Sequence, residues 1–123
     1  MESTSENNRQ KGQRAEDLAA DHLAKKGYQI LCRNWTAGKL EIDLIAASKT
    51  HLAFVEVKSR SSRAFGAPLE AVNSAKRRSI VRAADIYLSR SDNALEPRFD
   101  IISIVMETPP EIEHIEGAFF PHA

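Results

Sequence analysis

Residues 52–58 read Leu52-Ala53-Phe54-Val55-Glu56-Val57-Lys58, an apolar run interrupted by one acid and one base. Its β-branched and aromatic side chains between polar flanks predict a strand. Strand side chains alternate between faces. Ala53, Val55 and Val57 therefore share one face, and Leu52, Phe54, Glu56 and Lys58 the other. A carboxylate and an ammonium thus sit on a strand otherwise suited to a core. Burying such groups is costly unless they are paired or bound to a metal.

The preceding run, Leu40 to Ala47, reads as another strand, and Ser48 to His51 is short enough to close the two into an antiparallel hairpin. Alternation puts Leu40, Ile42 and Leu44 on one face and Glu41, Asp43 and Ile45 on the other. Asp43 and Glu56 lie at similar distances from the turn, so the hairpin can bring them together. Two close carboxylates repel each other and favour a divalent cation between them. Oxygen ligands suit Mg²⁺ or Mn²⁺, with water completing the shell. Lys58, one pleat on, could hold or deprotonate an attacking water. Two plainer arrangements stay open: Glu56 and Lys58 pairing on an exposed edge strand, and Asp43 with Glu41 simply facing water.

Gly12 to Lys26 predicts a helix with Ala15, Ala19, His22 and Leu23 as its apolar stripe and Gly27 as its terminator. Glu16 lies at the edge of that stripe, from which it can reach the sheet. His22 has no second His or Cys close in sequence and reads as a core residue. Tyr28 to Trp35 predicts the first strand, followed by a turn at Thr36 to Lys39. Ser61 to Pro68 is a loop, with Gly66 and Pro68 as breakers. Asn73 or Ser74 can cap a helix to about Arg90, burying Ile80, Val81, Ala84, Tyr87 and Leu88, with Arg77, Arg78, Arg82 and Asp85 largely off that face. Arg98 to Met106 predicts a fourth strand, with Phe99, Ile101 and Ser103 opposed to Asp100, Ile102 and Ile104. Pro109-Pro110 stops it. Beyond, Ile112, Ile115, Phe119 and Phe120 are available to dock on the core. Helix, three strands, helix and strand in that order predict an α/β fold: a mixed sheet with helices packed on it.

The 123 residues suit one domain, expected over 11–123, behind a polar tail at 1–10 read as disordered. One cysteine, Cys32, excludes an internal disulfide, and its apolar neighbours make it a small core residue. No signal peptide or membrane span is visible, so a cytoplasmic protein is expected. Net charge is zero, against a strongly basic nucleic-acid coat. The charge is nevertheless uneven: Lys58, Arg60, Arg63, Lys76, Arg77, Arg78 and Arg82 meet only Glu70 between residues 58 and 82, while Glu107, Glu111, Glu113 and Glu116 cluster later. A basic face for phosphate contact, or a merely solvated helix, fits that pattern. Trp35, Tyr28 and Phe65 are too scattered to form a stacking platform for single strands.

The stretches AEDLAADHLAKKGYQILCRNW (15–35), EIDLIA (41–46), FVEVKSRSS (54–62), FGAPLEAVNSAKRRSIVRAADIYL (65–88), RFDII (98–102) and EHIEGAF (113–119) resemble, in order and spacing, the YraN family. Members are described as predicted endonucleases with a fold like the archaeal Holliday-junction resolvases, within the PD-(D/E)XK nucleases. The resemblance implies a restriction-endonuclease-like mixed β-sheet flanked by helices. It implies a site in which Glu16, Asp43, Glu56 and Lys58 are catalytic, and in which Asp43, Glu56 and the carbonyl of Val57 hold Mg²⁺ or Mn²⁺. Lys76 matches a basic residue suited to phosphate. Arg33, Asn34, Arg60, Ser61, Phe65, Gly66, Arg98 and Asp100 fall in matching blocks without an implied role. Leu40, Ala15 and Gly117 depart from the family's usual glycine, glycine and asparagine, and none of the three is an implied ligand.

The function this predicts is Mg²⁺-dependent hydrolysis of DNA, branched or structured DNA being the substrate suggested by the fold. Arg60, Lys76, Arg77, Arg78 and Arg82 are the expected nucleic-acid contacts. A homodimer would suit cutting both strands of a branched substrate. The alternatives are a catalytically inactive nucleic-acid-binding module and an interaction protein that binds no nucleic acid.

Overall fold

The apolar runs pair into one five-stranded sheet, seen in a computed structural model that describes residues 7–61 and 72–121. The elements are α1 (Asn8–Lys25), β1 (Gln29–Ala37), β2 (Leu40–Ala47), β3 (His51–Arg60), α2 (Ser74–Ser89), β4 (Glu96–Val105) and β5 (Glu111–Phe119). The strand order is β1-β2-β3-β4-β5. All neighbours are antiparallel except β3 and β4, which run parallel across the α2 connection. This is the expected α/β, restriction-endonuclease-like arrangement of a mixed sheet flanked by helices. The expected loop with Gly66 and Pro68, and the tail at 1–6, lie outside the described residues.

Each helix covers one face. Ala15, Ala19 and Leu23 of α1 pack on Leu44, Ala46, Ala53, Val55, Ile102 and Ile104. The small alanines let the helix approach the sheet closely. Ile80, Ala83 and Ala84 of α2 pack on Ile45, Leu52, Phe54, Phe99 and Ile101. A row of rings, Trp35–Tyr87–Phe54–Phe99–Phe119, runs along the α2 face with centroids 5.3–5.9 Å apart, edge-on or stacked as aromatic pairs prefer. Phe120, expected to dock with Phe119, is instead 71% exposed.

Three expectations are corrected. Asn8, Arg9 and Gln10, read as tail, belong to α1, because Asn7 and Gln10 form a reciprocal capping box that starts the helix earlier. The segment after Pro110 is a full edge strand, β5, paired with β4. The third concerns β2. Leu44 packs on the α1 face, but Ile42 and Leu40 pack on the α2 face, so strict alternation fails between them. The pairing partners change sides together: Arg33 is opposite Leu44 and Trp35 opposite Ile42, with Trp35 packed in the α2-side core. Between them lies Asn34, opposite Asp43, with φ of 51°. Asparagine tolerates this left-handed conformation better than most residues. The step it introduces puts the reversal at Asp43.

The sheet also forks there. The β2–β3 register runs from Ala47↔Leu52 to Leu44↔Val55 and ends. Beyond it, β2 stays with β1 as far as Ala37↔Leu40, and β3 stays with β4 as far as Arg60↔Val105. Asp43 and Glu56, the next pair in that register, stand in the crotch of the fork.

Candidate active site

Each wall of the fork contributes a functional side chain. From β2, Asp43 is half-buried and its Oδ2 accepts a hydrogen bond from the Val57 amide at 2.8 Å. The carboxylate takes the place of the backbone partner that β3 loses where the strands part. The amide and carbonyl of one strand residue point to the same edge, so the Val57 carbonyl also faces the gap.

From β3, Glu56 carries a side chain only 5% exposed, with Lys58 Nζ at 3.8 Å and Lys76 Nζ at 3.7 Å. Both ammonium groups are beyond hydrogen-bond length and more than a third exposed. They pull the Glu56 pKa down less than burial and the neighbouring Asp43 push it up, and the carboxyl is raised to about 7. Glu56 lies on a central strand and is buried, which excludes the exposed-edge arrangement. Asp43 is half-buried and engaged with the Val57 amide, which excludes its merely facing water.

From α1, Glu16 approaches on the other face. Asn34 Nδ2 donates to Glu16 Oε1 at 2.9 Å, and Arg33 lies 3.9 Å from the same oxygen while pairing with Asp17 at 2.6 Å. Burial raises the Glu16 pKa, and the charges of Asp43 and Glu41 add to the effect against the lowering by Asn34 and Arg33. The Asn34 bond ties Glu16 to the β1 residue that lies between the pairs Arg33↔Leu44 and Trp35↔Ile42, across from Asp43.

The fork therefore gathers Asp43, Glu56, Lys58 and Lys76, and Glu16 approaches from the α1 side through Asn34. It does not gather the arginines. Arg77 donates from Nε to the Val72 carbonyl at 2.8 Å and lies over the Phe119 ring at 5.7 Å, anchoring α2 to the core. Arg78 and Arg82 are exposed on the helix face opposite buried Ile80, Ala83 and Ala84. Arg60 lines a small cavity over β4 and β5 with Ser103, Glu111 and Glu113, across β3 from Asp43. No cluster of three or more His, Cys, Asp or Glu side chains suited to a metal occurs among the described residues. The donor set at the fork is two carboxylates and a carbonyl, which suits an oxygen-seeking ion that keeps several waters.

Sequence reasoning missed what Asn34 does. Its left-handed backbone reverses β1 and β2, and its amide holds Glu16. It also missed a second polar cluster on the α1 face. Asp100, fully buried, accepts two bonds from Arg98 at 2.8 Å, one from His114 Nε2 at 2.8 Å and one from the Gly117 amide at 3.0 Å. Arg98 also reaches the Tyr28 hydroxyl, Tyr28 donates to Glu116 at 3.1 Å, and Lys26 Nζ lies 2.7 Å from His114 Nδ1. Asp100 faces a bulge in which Glu116, Gly117 and Ala118 stand between the pairs Phe99↔Phe119 and Ile101↔Ile115. This network ties the α1–β1 connection, through Lys26 and Tyr28, to β4 and β5. The only sequence signal for it was the acid of Arg98-Phe99-Asp100 on a buried strand face.

The profile described as "Uncharacterised protein family UPF0102" matches residues 15–104, which include Glu16, Asp43, Glu56, Lys58 and Lys76. The chain belongs to the UPF0102 family. This is the YraN family of the sequence resemblance. It is similar to a UPF0102 protein of Phocaeicola vulgatus, 46% identical over 111 residues that cover 89% of this chain and 92% of that one. It is 47% identical over 110 residues to one of Flavobacterium psychrophilum, with the same coverage. A third, of Chlorobium chlorochromatii, is 46% identical over 116 residues, 89% of this chain and 90% of that one. In this UPF0102 chain no helix among the described residues is long and apolar enough to cross a membrane.

Proposed function

We propose that this UPF0102 protein is a metal-dependent nuclease that hydrolyses phosphodiester bonds of DNA, with branched or structured DNA as the expected substrate class. The observation that carries the reading is the placement of Asp43 and the buried Glu56 where β2 and β3 part, with the Lys58 and Lys76 ammonium groups 3.8 and 3.7 Å from Glu56. Two carboxylates brought together at a buried gap favour a divalent cation between them. Asp43, Glu56 and the Val57 carbonyl would hold magnesium or manganese, which would supply Lewis-acid polarisation of a scissile phosphate.

The chain's own groups have distinct tasks in this reading. Lys58, on the Glu56 face of β3, can donate a hydrogen bond to the attacking water and orient it. Lys76, at the start of α2, can neutralise a non-bridging phosphate oxygen as charge develops on it. Glu16, fixed by Asn34, has a raised proton affinity that suits it to accept the water proton. Asp43 holds the main chain at Val57, so the proposed ligands are fixed to the sheet rather than to a loop.

The test is cleavage of branched, single-stranded and duplex DNA with Mg²⁺ or Mn²⁺ by wild type, Asp43→Ala and Lys58→Ala. Metal-dependent cutting by wild type that both variants lose supports the reading. No cutting on any substrate, together with no metal binding by calorimetry, would sink it and favour a non-catalytic role.

A further inference from the structure

Beside the fork, a polar cleft of about 490 Å³ opens between the first turns of α1 and the middle of β1. Its walls include Arg9, Gly12, Gln13, Glu16, Arg33 and Asn34. Glu16 and Asn34 also belong to the candidate site, so the cleft continues directly from the fork. Arg9, Gly12 and Gln13 precede the span matched by the family profile. The α1 capping box already occupies the Gln10 amide with Asn7, so the cleft's attraction for a ligand comes from side chains rather than from the helix end. Two guanidinium groups and three carboxamides, Asn8 among them, line a trough whose other charge is Glu16, with Asp17 paired to Arg33 at its edge. Gly12 supplies part of the wall without a side chain, and a Cβ built there meets no atom within 4 Å.

We infer that this cleft seats the DNA backbone flanking the scissile phosphate, with Arg9 and Gln13 as phosphate-contacting residues. The inference rests on the nuclease reading for its substrate. Guanidinium and carboxamide donors fit phosphate oxygens and carry no sequence readout. The cleft lies along α1 and β1, whereas the exposed arginines of α2 face solvent away from the sheet. The substrate path therefore runs from Lys76 and Lys58 across the fork towards Arg9. Gly12 leaves the trough open to a strand.

The test is anisotropy of fluorescein-labelled duplex and single-stranded DNA with calcium as the divalent ion, for wild type, Arg9→Gln, Gly12→Ala and Gly12→Glu. Both Gly12 substitutions are compatible with the helix, since alanine and glutamate are better helix formers than glycine. Arg9→Gln should weaken binding by about tenfold and lower the salt slope by about one. Gly12→Glu, which places a carboxylate in the trough, should weaken it by at least as much, and Gly12→Ala should bind as wild type does. Equal binding by wild type, Arg9→Gln and Gly12→Glu would overturn the cleft and leave metal-dependent cutting standing. Failure of wild type to bind either DNA would also overturn it. Binding that depends on Arg9 and Gly12, with no cutting in magnesium or manganese, would uphold the cleft and overturn the hydrolase.

Discussion

The Asp43 carboxylate accepts the main-chain amide of Val57 at 2.8 Å, one residue beyond the last β2–β3 pair. A side chain thus completes a ladder that the backbones abandon. Asp43 is at once a structural cap on β3 and a negative charge against Glu56. Asp43→Asn keeps the acceptor and removes the charge. Glu56 should then titrate below its value of about 7 while staying above 4.5, because burial is the larger cause. Carbon-detected NMR of the side-chain carboxyl checks this, and an unchanged titration would remove Asp43 from the account.

Glu56 also links stability to pH. Its carboxyl rises from 4.5 to about 7 on folding, so the folded chain binds more protons than the unfolded chain between those values. Stability of the metal-free protein therefore falls as pH rises from about 4.5 through 7. The full loss is on the order of 3 kcal/mol at about 1.4 kcal/mol per pKa unit. Glu56→Gln should escape it and gain on wild type between pH 5 and pH 8 in urea unfolding. An equal difference at both pH values would contradict the assignment.

Asp100 has the opposite sign. Burial alone would raise its pKa, but His114, Arg98 and the Gly117 amide outweigh it and the net shift is downward from 3.8. Its contribution is present above that unfolded value and is lost as pH falls through the lower folded one. Asp100→Asn should cost roughly 3–5 kcal/mol at pH 7, the range for breaking a buried ion pair. The gap from wild type should narrow in acid. Denaturant titrations at pH 7 and pH 3 would show it, and a constant gap would deny Asp100 its charge-dependent role.

Asn34 carries a conformational and a polar task that two substitutions separate. Asn34→Gly permits the backbone at φ 51° but frees Glu16. Asn34→Val strains the backbone as well, by about 1–2 kcal/mol. Thermal unfolding should rank glycine above valine. If both variants unfold alike, the left-handed step is not what the β1–β2 reversal depends on.

Exchanging a ring in the aromatic row tests the α2 face without touching the site. Phe54 is fully buried between Tyr87 and Phe99. Phe54→Ala should cost about 3–5 kcal/mol, and Phe54→Leu markedly less. Chemical denaturation distinguishes them, and a small loss for alanine would mean that the row repacks.

What was legible in the sequence was local. The face assignments of β3 and β4 followed from period-two alternation, and Gly27 and Asn73 marked helix ends where they stand. The pairing of Asp43 with Glu56 followed from a short hairpin, whose register is set by its turn. β5 was harder to read, since its edge position leaves Glu111, Glu113 and Glu116 exposed and blurs the apolar pattern. The β2 reversal was invisible, because it arises from one φ angle on the neighbouring strand.

The sequence by itself determined which residues can be buried, since spacing alone sorts apolar from polar on each element. It placed Glu56 and Lys58 on one strand face and Asp43 near them. Only the tertiary structure decided that the strands part at that pair. It brought Lys76 from α2 to Glu56, held Glu16 of α1 on Asn34 of β1, and set the exposed arginines of α2 facing away. Those choices depend on packing two helices against opposite faces of a twisted sheet, and no local pattern encodes where separate elements converge.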